Sequence, residues 1–342
     1  MNRSRIEQIA DAVLYEGYIL YPYRPSLKNR QRWTFGGVFP RAYSERHAGS
    51  DRCSIQTQCL IVANPATQLS VKLRFLHLMD RNVAEGHGPP FRPVASLNID
   101  GKPYYSWQEA VERQFAYERV AVDGLISQPQ RRTFSFPGSR HLEPLQNAAG
   151  ETVGRLIREQ QPLAGALELR AERLTDHLVR LTVIVRNASS LEDAGRTSRD
   201  DALLRSLVSA HILLHVRGGK FVSQTDPPEE CREFSAGCEN VGVWPVLVGE
   251  DGSRDAMLAA PIILYDYPQV APESPGDFFD GTEIDEMLSL RILTLTDDEH
   301  AEMAGVDPRA DALLQRTQAL AREELLGLHG VMRPHPTEGR HA

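Results

Sequence analysis

LELRAERLTDHLVRLTVIVR, residues 167–186, decides the fold class. Leu167, Leu169 and Ala171 alternate with Glu168, Arg170 and Glu172. After Thr175-Asp176, Val179, Leu181, Val183 and Val185 alternate with Arg180, Thr182 and Arg186. Period-2 alternation puts one set of side chains on each face of a strand. Two such runs about a turn predict an antiparallel pair with one buried and one wetter face, as in a sandwich.

The same reading extends outward. Ile55–Ala63 is an apolar run, and Leu69, Val71, Leu73 and Phe75 alternate with Ser70, Lys72 and Arg74. Asn64-Pro65 between them predicts a turn and an antiparallel hairpin. Residues 83–93 read as loop. Leu97–Tyr105 reads as a small hairpin around Asp100-Gly101. Further strands are expected at 207–216, 241–248 and 257–265, with Gly218-Gly219 as a hairpin turn.

Helices are expected at three places. Ile6, Ile9, Ala10, Val13 and Leu14 recur at helical spacing; Ser4 is the expected N-cap and Gly17 the break. Ser106 with Glu109 matches a capping box for a helix reaching Tyr117. After a Pro- and acid-rich connector at 266–282, caps at Thr282 and Thr296 and Pro308 in a first turn predict closing helices, the last running to about Leu328.

The expected class is therefore α+β: a β-rich antiparallel sandwich-like core with helices flanking it and at the C-terminus. The expected division is a β-rich region with one helix at 1–150, then a sandwich-like region with C-terminal helices at 151–330. The two stand as separate domains or as one continuous domain, followed by a mobile tail at 331–342.

The 342 residues carry 38 basic and 46 acidic side chains, a formal net charge of −8. That sign gives no general attraction to nucleic acid or anionic lipid. No run reaches the roughly 20 apolar residues of a membrane span. The N-terminus lacks a signal-peptide pattern, so the cytoplasm is the expected location. No GxSxG elbow, Walker A sequence or GxGxxG turn appears, and no cofactor is expected.

The cysteines, Cys53, Cys59, Cys231 and Cys238, are spaced C-x5-C and C-x6-C, wider than zinc knuckles. His211 and His215 would share a strand face about 13 Å apart, too far for one metal. No metal site is expected.

Two segments carry unusual chemistry. YEGYILYPYRPSLKNRQRWTFGGVFP, residues 15–40, interleaves aromatics with cations. Tyr21, Tyr23, Arg24, Arg30, Arg32 and Trp33 are candidate binding residues, because Tyr, Trp and Arg dominate interface hot spots. The bland alternative makes the aromatics core and the arginines its edge. YDYPQVAPESPGDFFDGTEIDEML, residues 265–288, is acidic. Asp280 and Glu283 are its candidate residues, for pairing with the cationic segment or a partner. The bland alternative has acids stabilising a helix N-terminus.

These stretches, with LHVRGGKFVSQTDPP (214–228), NVGVWPVLVG (240–249), the longer run 260–299 and LLGLHG (325–330), resemble a bacterial protein family. That family has no assigned activity and is encoded beside nickel–iron (NiFe) hydrogenase structural and maturation genes. The resemblance spans about residues 8–332. It implies accessory or chaperone-like work in hydrogenase biogenesis, through a protein partner such as a hydrogenase subunit or maturation factor. It assigns no catalytic residue and leaves oligomeric state open. Two other readings stand beside it: an enzyme using the acids near 277–286 with the arginines near 24–32, and a metal-binding protein using the scattered cysteines and histidines.

Overall fold

A computed structural model of the chain describes residues 3–19, 36–47, 49, 51–269, 292–296, 300 and 308–319. The alternating pair forms β10 (Leu163–Arg173) and β11 (Leu178–Asn187), antiparallel with Leu167 opposite Val185 and Leu169 opposite Val183. They are the middle of sheet one, completed by β1 (Ser54–Val62), β7 (Gln130–Phe136) and β13 (Lys220–Phe221) in the order β13-β1-β11-β10-β7.

Sheet two is built on β2 (Gln68–Glu85), long enough to serve two partners on each edge. One edge takes β12 (Val208–Arg217) and then β9 (Thr152–Gln160). The other takes β6 (Trp107–Ala121) and then β3 (Arg92–Val94). Beyond β12 come β15 (Ala256–Ala260) and β14 (Trp244–Leu247), and beyond β9 comes β8 (Ser139–Gln146). β4 (Ser96–Ile99) and β5 (Lys102–Tyr105) form the expected small hairpin. All these pairs are antiparallel, and the α+β sandwich-like class holds. Both sheets draw strands from either side of residue 150.

The sheets face each other across one apolar layer. Leu69, Val71, Leu73 and Phe75 of β2 meet Val179, Leu181, Val183 and Val185 of β11, all buried. Burying each such side chain contributes about 1.5–3 kcal/mol. Phe134 lies 6.0 Å from Phe75 and 5.0 Å from Phe115, ring centre to ring centre. Its ring also covers Gly165, the residue opposite it on β10, where an added Cβ would come within 2.2 Å of the ring.

Several local expectations are corrected by pairing. β1 and β2 are not a hairpin: Asn64-Pro65 carries the chain from sheet one to sheet two. Gly218 does the reverse, between β12 and β13. The two crossovers are tied together, since Asn64 Nδ2 and Thr67 Oγ1 both donate to the Gly218 carbonyl, at 2.7 and 2.8 Å. Residues 83–85 and 92–94 are strand, not loop.

The helix expected from Ser106 to Tyr117 is β6. Ser106 caps nothing there; its hydroxyl donates to the Val94 carbonyl at 2.8 Å and accepts from Val83 N at 2.9 Å. Trp107, Glu109, Val111, Arg113, Phe115 and Tyr117 share one strand face, and thirteen ladder partners on β2 outweigh the capping pattern. Sequence reading also missed β7, β8 and β9. The strands expected at 241–248 and 257–265 shorten to β14 and β15.

The first helix, α1 (Arg3–Ile19), contains both Ser4 and Gly17, so neither ends it. It docks on the outer face of sheet two through Ile9 and Val13, against Leu258, Ala260 and Val246. A bulge in β12 between Val208 and His211 seats it, with Ser209 at φ +53° donating from Oγ to the Val13 carbonyl at 3.1 Å. Leu14 joins Leu76, Leu78, Phe39 and Tyr43 in a second cluster with α4 (Arg199–Leu203) and the short α2 (Arg41–Arg46). α3 (Val122–Ser127) links β6 to β7, α5 (Arg232–Ala236) lies in the excursion over sheet one, and α6 (Pro308–Ala319) begins at Pro308 as expected. The helix starts expected at Thr282 and Glu283, the capping residue Glu299, and the tail 331–342 lie outside the described residues. No described helix is long and apolar enough to cross a membrane.

Candidate functional site

All eight candidate residues from the sequence, Tyr21, Tyr23, Arg24, Arg30, Arg32, Trp33, Asp280 and Glu283, fall outside the described residues. The described ends of their two segments are structural. Phe39 is 1% exposed, stacked on Tyr43 at 5.5 Å, with the Arg199 guanidinium over its ring at 5.2 Å from the ring centre. This end of the aromatic segment is core.

Asp266, at the start of the acidic segment, is a clasp. Its Oδ2 accepts from Ser223 Oγ at 2.5 Å and Thr225 Oγ1 at 2.8 Å, and its Oδ1 accepts from Leu247 N at 2.7 Å. Tyr267, at φ +57°, follows with its N–H on the Leu247 carbonyl. One carboxylate thereby joins three stretches of chain: the exit of β13, the end of β14 and the segment after β15.

The cysteines do not assemble a site. All four are free thiols, and among the described residues no three His, Cys, Asp or Glu side chains are placed to hold a metal ion. Cys59 faces the sandwich interior, whereas Cys231 and Cys238 pack with Leu60, Leu178 and Phe234 outside sheet one. Burial pushes the thiols of Cys59, Cys231 and Cys238 up, which disfavours the reactive thiolate.

His211 is on a strand, as expected, and wholly buried beneath α1. Its Nδ1 lies 3.1 Å from the Ser209 carbonyl and its Nε2 has no partner. Burial, with the Arg74 charge adding to it, lowers its pKa to about 3. His77 is equally buried, with neither ring nitrogen hydrogen-bonded. Burial and then the Arg113 charge lower it to about 4, against the nearby Gln161 and Leu204 backbone. Both rings are neutral at pH 7, as core residues.

His77 borders a charged seam on the inner face of sheet two. There the apolar layer gives way before the β4–β5 hairpin closes a separate cluster around Val83, Ile99, Leu145 and Leu156. Arg81 Nη1 pairs with Glu109 Oε1 at 3.1 Å and its Nε donates to the Tyr105 carbonyl at 3.1 Å. Arg158 bridges Glu109 at 3.1 Å and Glu143 at 2.5 Å. Burial works against the Arg158 charge, and the two carboxylates outweigh it and raise its pKa. Two cations and two anions from four strands satisfy one another, which fixes strand register and leaves no free charge for chemistry.

Among the described residues, two surface features remain open. One is a groove of about 290 Å³ where α1 leaves the outer face of sheet two. Its lining includes Glu7, Ser70, Lys72, Glu118 and His215. The other is a group of large apolar side chains at the β14 edge of sheet two. Trp244 is 40% exposed, Val241 45%, Ile263 81% and Tyr265 79%. Sequence reading missed the groove because its polar residues are the outward positions of alternating strands. Nothing local separates them from an ordinary wet face.

No protein-family model matches the chain, and no curated protein matches it.

Proposed function

We propose that the chain is a protein-binding accessory factor whose docking surface lies at the β14 edge of sheet two. The observation that carries this reading is the display of Ile263 and Tyr265. In the segment after β15, Ile262 and Leu264 pack into the cluster under α1, while Ile263 and Tyr265 point away from it and stay exposed. Trp244 is paired with Ala260, only three residues before Ile263. Three residues of chain span at most about 11 Å, so these side chains share one neighbourhood. Tyr and Trp on a rigid edge supply interface anchors, and large apolar side chains exposed together mark interaction sites.

The Asp266 clasp supports the reading. It fastens together three of the stretches that carry the family resemblance, 214–228, 240–249 and 260–299, next to the patch that the last two display. The resemblance supplies the context: the partner is a hydrogenase subunit or maturation factor.

The test is affinity purification from the native host under conditions that express hydrogenase, with wild type beside an Ile263→Asp/Tyr265→Ser variant. Both positions are exposed, so the melting temperature should hold, while partner recovery should fall more than about tenfold, the loss of one hot-spot contact or more. Undiminished capture by the folded variant would remove the patch from the interface. A partner set without hydrogenase proteins would remove the context.

A further inference from the structure

The groove beside α1 has a polarity of its own. Four strands cross its floor. His215 of β12 stands opposite Ala256 of β15 on one side and Ser70 of β2 on the other, and Leu213 stands opposite Lys72. Glu118 of β6 completes the far side, at the bulge where Arg119 N donates to Ser70 Oγ at 3.3 Å. Ile6 and Glu7 of α1 form the overhanging wall.

His215 and Lys72 are diagonal neighbours on adjacent strands, about 7–8 Å apart, close enough for both side chains to reach one ligand group. Ser70 stands directly opposite His215, two residues before Lys72 on β2. Asp255 Oδ2 lies 3.6 Å from His215 Nε2. His215 of β12 with Ser70 and Lys72 of β2 thus offer donors, Asp255 standing beside His215, while Glu118 of β6 and Glu7 of α1 offer acceptors.

These charges are unspent. Among the described residues, Lys72, Glu118 and Glu7 form no ion pair, although opposite charges line the same groove. Contrast Arg74, two residues from Lys72 on the same face, which is paired with Asp11 at 2.5 Å and Glu112 at 3.5 Å. Glu118 lies at the bulge opposite Ser70, one diagonal step from Lys72, and opposite charges lining one groove suit a ligand carrying both signs. The apolar side chains of Ile6 and Leu213 suit one with a hydrocarbon portion. The volume, at the lower end of the roughly 300–1,000 Å³ of ligand pockets, suits a molecule smaller than a nucleotide.

We propose that this groove binds a free α-amino acid with an apolar side chain. Its carboxylate lies among Lys72, Ser70 and His215, its ammonium between Glu118 and Glu7, and its side chain against Ile6 and Leu213. The site is separate from the β14 edge and stands or falls independently of it.

Calorimetric titration of the full chain with leucine tests the proposal, beside isovalerate, which lacks the ammonium, and isoamylamine, which lacks the carboxylate. Leucine should bind with a Kd below about 1 mM, and each one-charge analogue should bind at least about tenfold more weakly. Lys72→Met and Glu118→Gln should each weaken leucine at least about tenfold, Lys72→Arg should retain most of the affinity, and the melting temperatures should match wild type. The imidazole resonances of His215, assigned with His215→Gln, should shift on leucine addition. The proposal is overturned if no apolar amino acid binds below about 10 mM, if isovalerate or isoamylamine binds as well as leucine, or if folded Lys72→Met binds leucine unchanged. Binding that leaves the His215 resonances unmoved places the ligand elsewhere and overturns it equally.

Discussion

Acid should destabilise this protein through two histidines, by an amount the structure sets. His77 and His211 are buried and neutral, with folded pKa values of about 4 and about 3 against an ordinary 6.5. The unfolded chain takes up both protons as pH falls through 6.5, while the folded chain refuses them until pH nears 4 or 3. A depressed folded pKa on a base therefore means stability that is intact above 6.5 and lost progressively below it. At about pH 5 each histidine costs about 1.36 × 1.5, or roughly 2 kcal/mol, and the two together roughly 4 kcal/mol. That is a large share of the about 5–15 kcal/mol that holds a typical domain. The assay is urea unfolding at about pH 7.5 and about pH 5, on wild type, His77→Phe, His211→Leu and the double variant. Carboxylates also titrate in this window, but they are common to all four proteins. The difference between wild type and variant isolates the histidines. Each replacement should shrink the pH-dependent loss by about 2 kcal/mol, whatever it does to stability at neutral pH. If the double variant loses as much stability as wild type between the two pH values, the rings are not neutral, sealed groups and the reasoning fails.

Two further outcomes follow from packing and hydrogen bonding. Gly165→Ala should destabilise by about 1–3 kcal/mol, because the new methyl occupies space filled by the Phe134 ring; combining it with Phe134→Leu should recover part of the loss, measured by urea unfolding. Asp266→Ala leaves the donors of Ser223, Thr225 and Leu247 without their acceptor, and should cost about 1–3 kcal/mol. Because the clasp seats the segment bearing Ile263 and Tyr265, the same change should also reduce partner recovery, whereas Asp266→Asn, which retains an acceptor oxygen, should be milder on both measures.

What was legible in the sequence was what depends on period. Alternation at 167–186 and 69–75 told which side chains share a face, and β10, β11 and β2 follow it. The strand reading of 207–216 likewise kept His211 and His215 apart, because a strand advances too far per residue for one metal. Period says nothing about partners. Asn64-Pro65 reads the same whether it joins neighbours in one sheet or lifts the chain between two, and only the distant ladder partners, β11 for β1 and β6 and β12 for β2, select the second. Ser106 with Glu109 satisfies a capping box on paper. In the molecule, the Ser106 hydroxyl finds Val83 and Val94, and Glu109 finds Arg81 and Arg158, contacts that exist only once β2, β3 and β9 have assembled. The groove beside α1 has the same origin. Glu7, Ser70, Lys72, Glu118 and His215 come from one helix and three strands, and each alone is an unremarked polar residue on a wet face. Their juxtaposition belongs to strand register, and register is fixed by the burial of apolar side chains far from one another in the chain.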